Sequence, residues 1–383
     1  MSAPDATRWS RRDWLKACLL GAAGASLAGC TRGAGPPPAA APTAAPAAPP
    51  PSGSAPAAPA AANAGGPPRV NASMKIGYLR NIGSGPVYLA IERGYFKEVG
   101  VEVESVIFQS GSEMVASLGT GELGMGNGAL SPGLYNAWGR DIRIMVVADG
   151  GTLRPGYGAS WLMVRSGLAD QVRDWMDLRG RKVSASTEGS VIDYMVRQAL
   201  RQHGMSLNDV DLVRLASPDM LSAFQGGALD AGGTAEAFAT QIVDLGLAVK
   251  WKNGSEVTPG EEYSGLMVSE QVAGDKALAV AVVYAYLRGV RDYMAGQKTD
   301  PDVIAILSKY SGVDQDIIKR ATPSAVDVNG ETQIDRIRAQ EEFWVREGVM
   351  PRVVDPAPFM PQEFVAEAVQ LLGRATNPPA PTV

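Results

Sequence analysis

From residue 74 onward the chain alternates two apolar patterns. Short runs with apolar residues at every second position, or at every position, read as strands. Longer stretches with apolar residues three and four apart read as helices. Residues 74–79 give the first strand. Residues 86–97 give a helix that starts on proline and carries Val87, Leu89, Ala90, Ile91 and Tyr95 on its apolar side. A strand at 101–107, a helix at 112–118 closed by Gly119 and Gly121, a strand at 123–127, a helix at 132–138 and a strand at 142–148 follow. A second set runs strand 181–185, helix 190–203 ending at Gly204, strand 210–215, helix 219–224 and strand 229–232. The two sets align at an offset of 106: Met114 falls on Met220, Leu118 on Phe224, and Gly121 to Gly126 on Gly227 to Gly232. Strand-like runs at 160–164 and 262–268 mark two crossings between the sets, and helices at 277–294, 301–310, 314–321, 331–347 and 361–372 complete the chain. The expected fold is α/β: two similar lobes with mixed, mostly parallel sheets.

Composition separates the first 73 residues from this body. Many of the 27 prolines crowd with alanine into residues 36–68, where little large apolar surface is available to offset the entropy of ordering. Before that segment, Ser10-Arg11-Arg12-Asp13-Trp14-Leu15-Lys16 precedes a small-residue apolar run of about a dozen positions, too short for a permanent membrane span. The block resembles a twin-arginine export signal carried by Arg11 and Arg12, with Trp14 where phenylalanine is more usual. Leu27-Ala28-Gly29-Cys30 resembles a lipobox, in which Cys30 becomes the lipidated N-terminus. The expected organisation is a signal peptide over 1–29, a lipidated Ala/Pro-rich tether over 30–73, lobe one over 74–160, lobe two over 161–260, and a return to lobe one with C-terminal helices over 261–383. Acyl chains would anchor the protein to the outer face of the bacterial cell membrane or to a periplasmic face, and the tether would let the body stand off it. The sequons at Asn71 and Asn253 carry little weight in such a setting.

Charge and rare residues narrow the chemistry. The net charge is −5; residues 1–29 hold four basic and two acidic side chains, so the processed chain carries −7. No basic stripe is present, which argues against a nucleic-acid partner. His203 is the one histidine, and Cys18 and Cys30 are the only cysteines. A disulfide framework, a Cys/His zinc site and a histidine-based triad are therefore not expected, and neither is a cofactor. Gly119-x-Gly121-x-x-Gly124 copies a dinucleotide fingerprint, but it follows a helix and precedes a strand, the reverse of the required order.

The body resembles the substrate-binding proteins of ABC importers, in the nitrate, sulfonate, taurine and pyrimidine-precursor branch, over roughly residues 74–375. The carriers are Pro86 to Glu92, Gly94-Tyr95-Phe96-Lys97-Glu98-Val99-Gly100-Val101-Glu102-Val103, Leu118 to Gly124, Asp177 to Val183, and Gly227 to Ala231. The resemblance implies a two-strand hinge, a ligand cleft between the lobes, an ABC permease as membrane partner, a monomer, and no catalysis. Ligands of open α/β sheets sit beyond the carboxyl ends of the strands, which points to Asn81, Ser84, Tyr88, Ser110, Ser112, Glu113, Ser131, Trp161, Thr187, Ser190, Asp219 and Glu236. The serines stand where helix caps would; Tyr88 and Trp161 offer stacking walls. Acidic residues outnumber basic ones in these loops, with Arg80 and Arg154 the nearest cations, which favours a neutral or cationic nitrogen-containing ligand over an anion. Two other outputs fit the same fold: a receptor for a membrane signalling protein, and an enzyme like the pyrimidine synthases, whose reactive histidine and cysteine this body lacks.

Overall fold

The computed structural model describes residues 66–108 and 111–380. The export signal at Arg11 and Arg12, the lipidation site Cys30, most of the tether and Ser110 lie outside the described residues.

Ten strands form two five-stranded sheets. In lobe one, β1 (Ala72–Leu79), β2 (Val101–Phe108), β3 (Met125–Ala129), β4 (Met145–Thr152) and β10 (Glu262–Val268) lie in the order β2-β1-β3-β10-β4. In lobe two, β5 (Ser160–Arg165), β6 (Lys182–Ser184), β7 (Asp211–Val213), β8 (Ala231–Ala235) and β9 (Ala248–Asn253) lie in the order β7-β6-β8-β5-β9. β1 pairs in parallel with β2 and β3, and β6 with β7 and β8. β10 is antiparallel to both its neighbours, as is β5. Each sheet thus has four strands pointing one way and one reversed.

The reversed strands are the two that follow a crossing, and connectivity explains why. The chain leaves β4 at its carboxyl end, crosses through 153–159, and can only run back away from that end as β5. It leaves β9 at its carboxyl end, crosses through 254–261, and runs back as β10. The crossings hydrogen-bond to each other, Leu153 N donating to Glu261 O (2.8 Å) and Gly260 N to Leu153 O (2.6 Å), so they form a two-strand hinge.

Most predicted elements lie within a few residues of their expected bounds. The helix expected over 86–97 is two helices, Gly85–Glu92 and Tyr95–Glu98. Gly94 between them adopts φ 71°, a left-handed conformation that ends a helix at little steric cost. β4 starts and ends later than expected because its Asp149-Gly150-Gly151 end reads locally as a turn, yet all eight residues are buried. The helix Phe238–Asp244, β9 and the turn of helix Gly254–Val257 are additions to the expected set.

The long helix Lys276–Gly296 packs across Gly85–Glu92 at close range. A Cβ on Gly289 would lie 2.2 Å from the backbone carbonyl oxygen of Pro86, and one on Gly85 would lie 2.4 Å from the Tyr293 ring. Backbone cannot retreat as a side-chain tip can. Gly289→Ala is therefore expected to lower stability by about 2–3 kcal/mol, read from the urea midpoint, even though alanine favours helices.

Candidate functional site

The carboxyl ends of β1, β3, β4 and β8 converge on one cavity of about 160 Å³ between the lobes. Lobe one supplies Leu79, Asn81, Ile82, Gly83 and Ser84 after β1, Asn127, Gly128 and Ala129 of β3, Gly150 of β4, Tyr263 and Ser264 of β10, and Ser324. Ala159 of the first crossing, Val191, Ala235 and Glu236 close it from the other side.

The floor is polar and tightly organised. Ser264 Oγ lies 3.2 Å from Asn127 Oδ1 and 3.0 Å from Gly128 O, and Asn127 Nδ2 reaches the Tyr286 hydroxyl at 3.4 Å. That hydroxyl donates to Asp149 O (3.0 Å). Gly150 makes this approach possible, since a Cβ there would lie 2.8 Å from Asn127 Nδ2 and 2.9 Å from Ser264 Oγ.

Glu236, 3% exposed, is the one acidic side chain in the lining among the described residues. Its Oε1 accepts from Lys250 Nζ and from Thr322 N (3.1 Å), and its Oε2 from Thr240 N (3.2 Å) and Thr240 Oγ1 (2.9 Å). Lys250 also donates to Thr322 Oγ1 (3.2 Å). Two lobe-two side chains thereby hold Thr322, whose segment is tied to lobe one through Thr152 N donating to Ala325 O. On another flank, Arg197 and Arg201 of the lobe-two helix Val191–Gln202 pair with Glu347 at 3.1 and 2.9 Å.

A buried acidic group sits beneath the hinge. Asp149 accepts from Gly151 N, Thr152 Oγ1 and Asp327 N, bonds that favour the carboxylate, yet burial outweighs them and pushes its pKa up to about 6. Glu262, at the first position of β10, accepts from Gln333 N at 2.7 Å through Oε1, while its Oε2 is buried without a partner. Burial first, and the neighbouring Asp149 second, push Glu262 up to about 8.

The expected site residues divide clearly. Asn81, Ser84 and Glu236 line the cavity. Tyr88 is fully buried beneath it; its hydroxyl donates to Leu79 O (2.5 Å), receives Asn81 N (3.2 Å), and fixes the path of the loop. Trp161 lies in an adjoining concavity of about 610 Å³ with Asn253 and Thr322, where Lys250 Nζ stands 5.1 Å from its ring centre. Ser190 caps the helix Val191–Gln202 by accepting from Asp193 N and borders a small gap beside Glu261 and Glu262. Ser131 occupies the capping position of the helix Pro132–Trp138 without a side-chain cap bond. Thr187 is exposed; Glu113 and Asp219 are exposed in the first turns of their helices, where a carboxylate complements the dipole. Ser112 lies in the helix Gly111–Gly119. Arg154 is paired with Asp327 at 2.9 Å, and Arg80 is exposed. Among the described residues no cluster of three or more His, Cys, Asp or Glu is arranged to hold a metal, and no helix is long and apolar enough to cross a membrane.

The model of the NMT1-like family matches residues 68–308, which include all ten strands and every residue of the cavity but Ser324. The chain belongs to the NMT1-like family. Among curated relatives, a provisionally named binding protein of Brucella abortus is 22% identical over 64% of this chain and 73% of its own. A provisionally named aliphatic sulfonates-binding protein of Bacillus subtilis is 23% identical over 74% and 85%. Among solved structures, the periplasmic nitrate-binding protein NrtA of Synechocystis superposes with a TM-score of 0.67 at 15% identity, over 80% of this chain and 90% of NrtA. The alkanesulfonate-binding protein SsuA of Xanthomonas axonopodis, bound to MOPS, gives 0.63 at 18% identity over 76% and 98%. The desulfurization enzyme DszB shares the fold as well, with a TM-score of 0.59 at 14% identity over 78% and 99%. Identities this low speak for the fold alone.

The NMT1-like cavity also uses residues outside the expected set: Asn127, Tyr263, Ser264 and Ser324. Asn127 carries a signal, an amide inside an otherwise apolar and glycine strand. Ser264 carries a weaker one, a hydroxyl in the return strand. Ser324 carries none, because its segment reads as a connection between helices.

Proposed function

We propose that this chain is an extracytoplasmic solute-binding lipoprotein that captures a small molecule by closure of its lobes and delivers it to an ABC permease. The observation that carries this reading is the cavity built from both lobes at the carboxyl ends of their strands, beside a two-strand hinge, an arrangement suited to closing on a ligand. Asn81, Ser84 and Glu236 of the expected set, with Asn127, Ser264 and Ser324, are its binding surface; Tyr88 supports it from below. The twin-arginine block and Cys30 supply export and anchoring.

Ligand capture predicts that a bound small molecule raises the melting temperature. A thermal-shift screen of amines, pyrimidines, nitrate, sulfonates and fractionated bacterial metabolites is expected to give at least one clear shift; a flat response across the whole set would sink the reading. Lipid anchoring predicts that Cys30→Ala moves the protein from the membrane pellet to the soluble fraction; continued sedimentation of the variant with membranes would reject it.

The enzyme reading has one supporting observation, the DszB fold match. Against it stands the cavity lining, whose only titratable side chains among the described residues are Glu236, fully occupied, and Tyr263, pushed up by burial. His203 stands at the far end of the helix Val191–Gln202, stacked on Trp175. A signalling output would use the same cleft, and a permease reconstitution assay separates it from transport.

A further inference from the structure

Resting on the capture reading, we propose that the cleft takes an uncharged small molecule, in contrast to the nitrate and sulfonates named for its structural neighbours. Four observations converge on this.

Among the described residues no lysine or arginine lines the cavity. Four cations of the adjoining segments are committed: Lys250 to Glu236, Arg197 to Asp193 and Glu347, Arg214 to Asp193 at 2.7 Å, and Arg154 to Asp327; Arg80, next to Asn81, is exposed and lies outside the lining. An anion seated in the cavity finds no counter-charge in its described lining.

The lining carboxylate is no better placed for a cation. A carboxylate offers about four lone-pair sites, and Glu236 has four donors on it. An ammonium group would have to displace Lys250 or a backbone N–H.

Helix N-termini can hold anions through backbone N–H groups; at this cleft the helix Val191–Gln202 is capped from within, while Gly85–Glu92 has no side-chain cap and loses one first-turn donor to Pro86. Ser84 N is taken by Asn81 Oδ1 (3.0 Å) ahead of the helix Gly85–Glu92. At the helix Val191–Gln202, Ser190 Oγ accepts from Asp193 N, and the Asp193 carboxylate accepts from Gly189 N (3.0 Å). A second anion there would meet that carboxylate.

The rest of the lining is neutral and mixed: the amide of Asn127, the hydroxyls of Ser84, Ser264 and Ser324, and apolar wall from Ile82 and Val191. Such a surface reads amide-like or hydroxyl donors and acceptors on a compact apolar frame. The cavity volume of about 160 Å³ points to a small ligand.

Fractionation by charge tests this directly. Small-molecule extract of a bacterial culture is passed over anion- and cation-exchange resins, and the unretained, anion-retained and cation-retained pools are each added to the full lipidated chain in detergent. Nitrate and ethanesulfonate are run alongside as pure anions, and taurine as a zwitterionic sulfonate. The expected result is a rise in melting temperature of about 5 °C with the unretained pool, and under about 1 °C with either retained pool or any pure probe. A dominant shift from a retained pool, or from nitrate or a sulfonate, overturns the uncharged-ligand inference while leaving capture intact. No shift from any pool overturns capture itself, and this inference with it.

Discussion

Lys250→Met is expected to destabilise the protein by about 3–5 kcal/mol, because it leaves the Glu236 carboxylate buried without its counter-charge. The Glu236 side chain is 1% exposed and that of Lys250 21%, so water cannot substitute for the lost ammonium. The remaining three donors on Glu236 are neutral, and they compensate a charge only in part. The double variant Glu236→Gln with Lys250→Met is expected to recover most of the loss, since a well-packed neutral pair avoids the desolvation of both ions. Urea unfolding of the wild type, both single variants and the double variant gives the coupling energy directly. A single Lys250→Met loss below about 1 kcal/mol would show that the pair is solvated and that the proposed wall of the cleft is open. The pair also holds Thr322, so the destabilised variant should loosen the contact between lobe two and the segment after the helix Gln315–Arg320.

Stability is expected to fall as pH rises from about 5 to about 8, with Glu262 responsible for the upper part of that range. A carboxyl whose pKa is raised by folding binds its proton more tightly in the native state than in the unfolded one. Its contribution is complete below the ordinary value of about 4.5 and is lost as pH climbs through the folded value of about 8. Asp149, pushed up to about 6, acts earlier in the same direction. Glu341 adds to the middle of the range; burial pushes it up to about 7, although Val354 N donates to it. Glu262→Gln keeps an acceptor for Gln333 N while removing the charge. It is expected to flatten the curve between about pH 6 and 8 and to stabilise the protein at pH 8 by about 2–4 kcal/mol. Denaturant midpoints at four pH values check this; a variant as pH-dependent as the wild type would place the titration elsewhere. Glu262 opens the strand that follows the second crossing, so its ionisation places a buried charge beside the hinge.

The offset of 106 is the most informative feature of the sequence. It holds element by element: Gly111–Gly119 against Ser217–Gln225, β3 against β8, and Pro132–Trp138 against Phe238–Asp244. It also holds in packing. A Cβ on Gly126 would strike Met114 Sδ at 2.3 Å, and one on Gly232, 106 positions on, would strike the Met220 terminal methyl at 2.4 Å. These strands are rich in glycine because a methionine from the preceding helix lies across each of them. The same offset, carried past Gly232, lands Pro132–Trp138 on the helix Phe238–Asp244, which the apolar pattern alone does not mark. The candidate site is less legible. Strand ends locate its loops, but an outward or inward aim cannot be read from a loop's residue types. Tyr88 points into the core because its hydroxyl can satisfy backbone groups of the loop above. The acidic tilt of the loops misleads in part, since Glu236 is matched by Lys250, which belongs to a strand too polar to stand out by alternation. Ser324 and Tyr263 arrive from the second half of the chain, and only three-dimensional closure brings them to the cleft.

The position of β10 between β3 and β4 dictates an order of assembly. β4 has no strand neighbour but β10, and β10 is synthesised only after the whole of lobe two. Lobe two, by contrast, takes all five of its strands from one uninterrupted stretch. During synthesis the second lobe can therefore finish before the first, whose sheet waits with β3 open on one side and β4 unattached. Such edges are sites of mispairing while they last. A chain interrupted before Glu262 leaves lobe one without the strand that joins β3 to β4, so truncated products are expected to be targets for degradation rather than receptors with a missing tail.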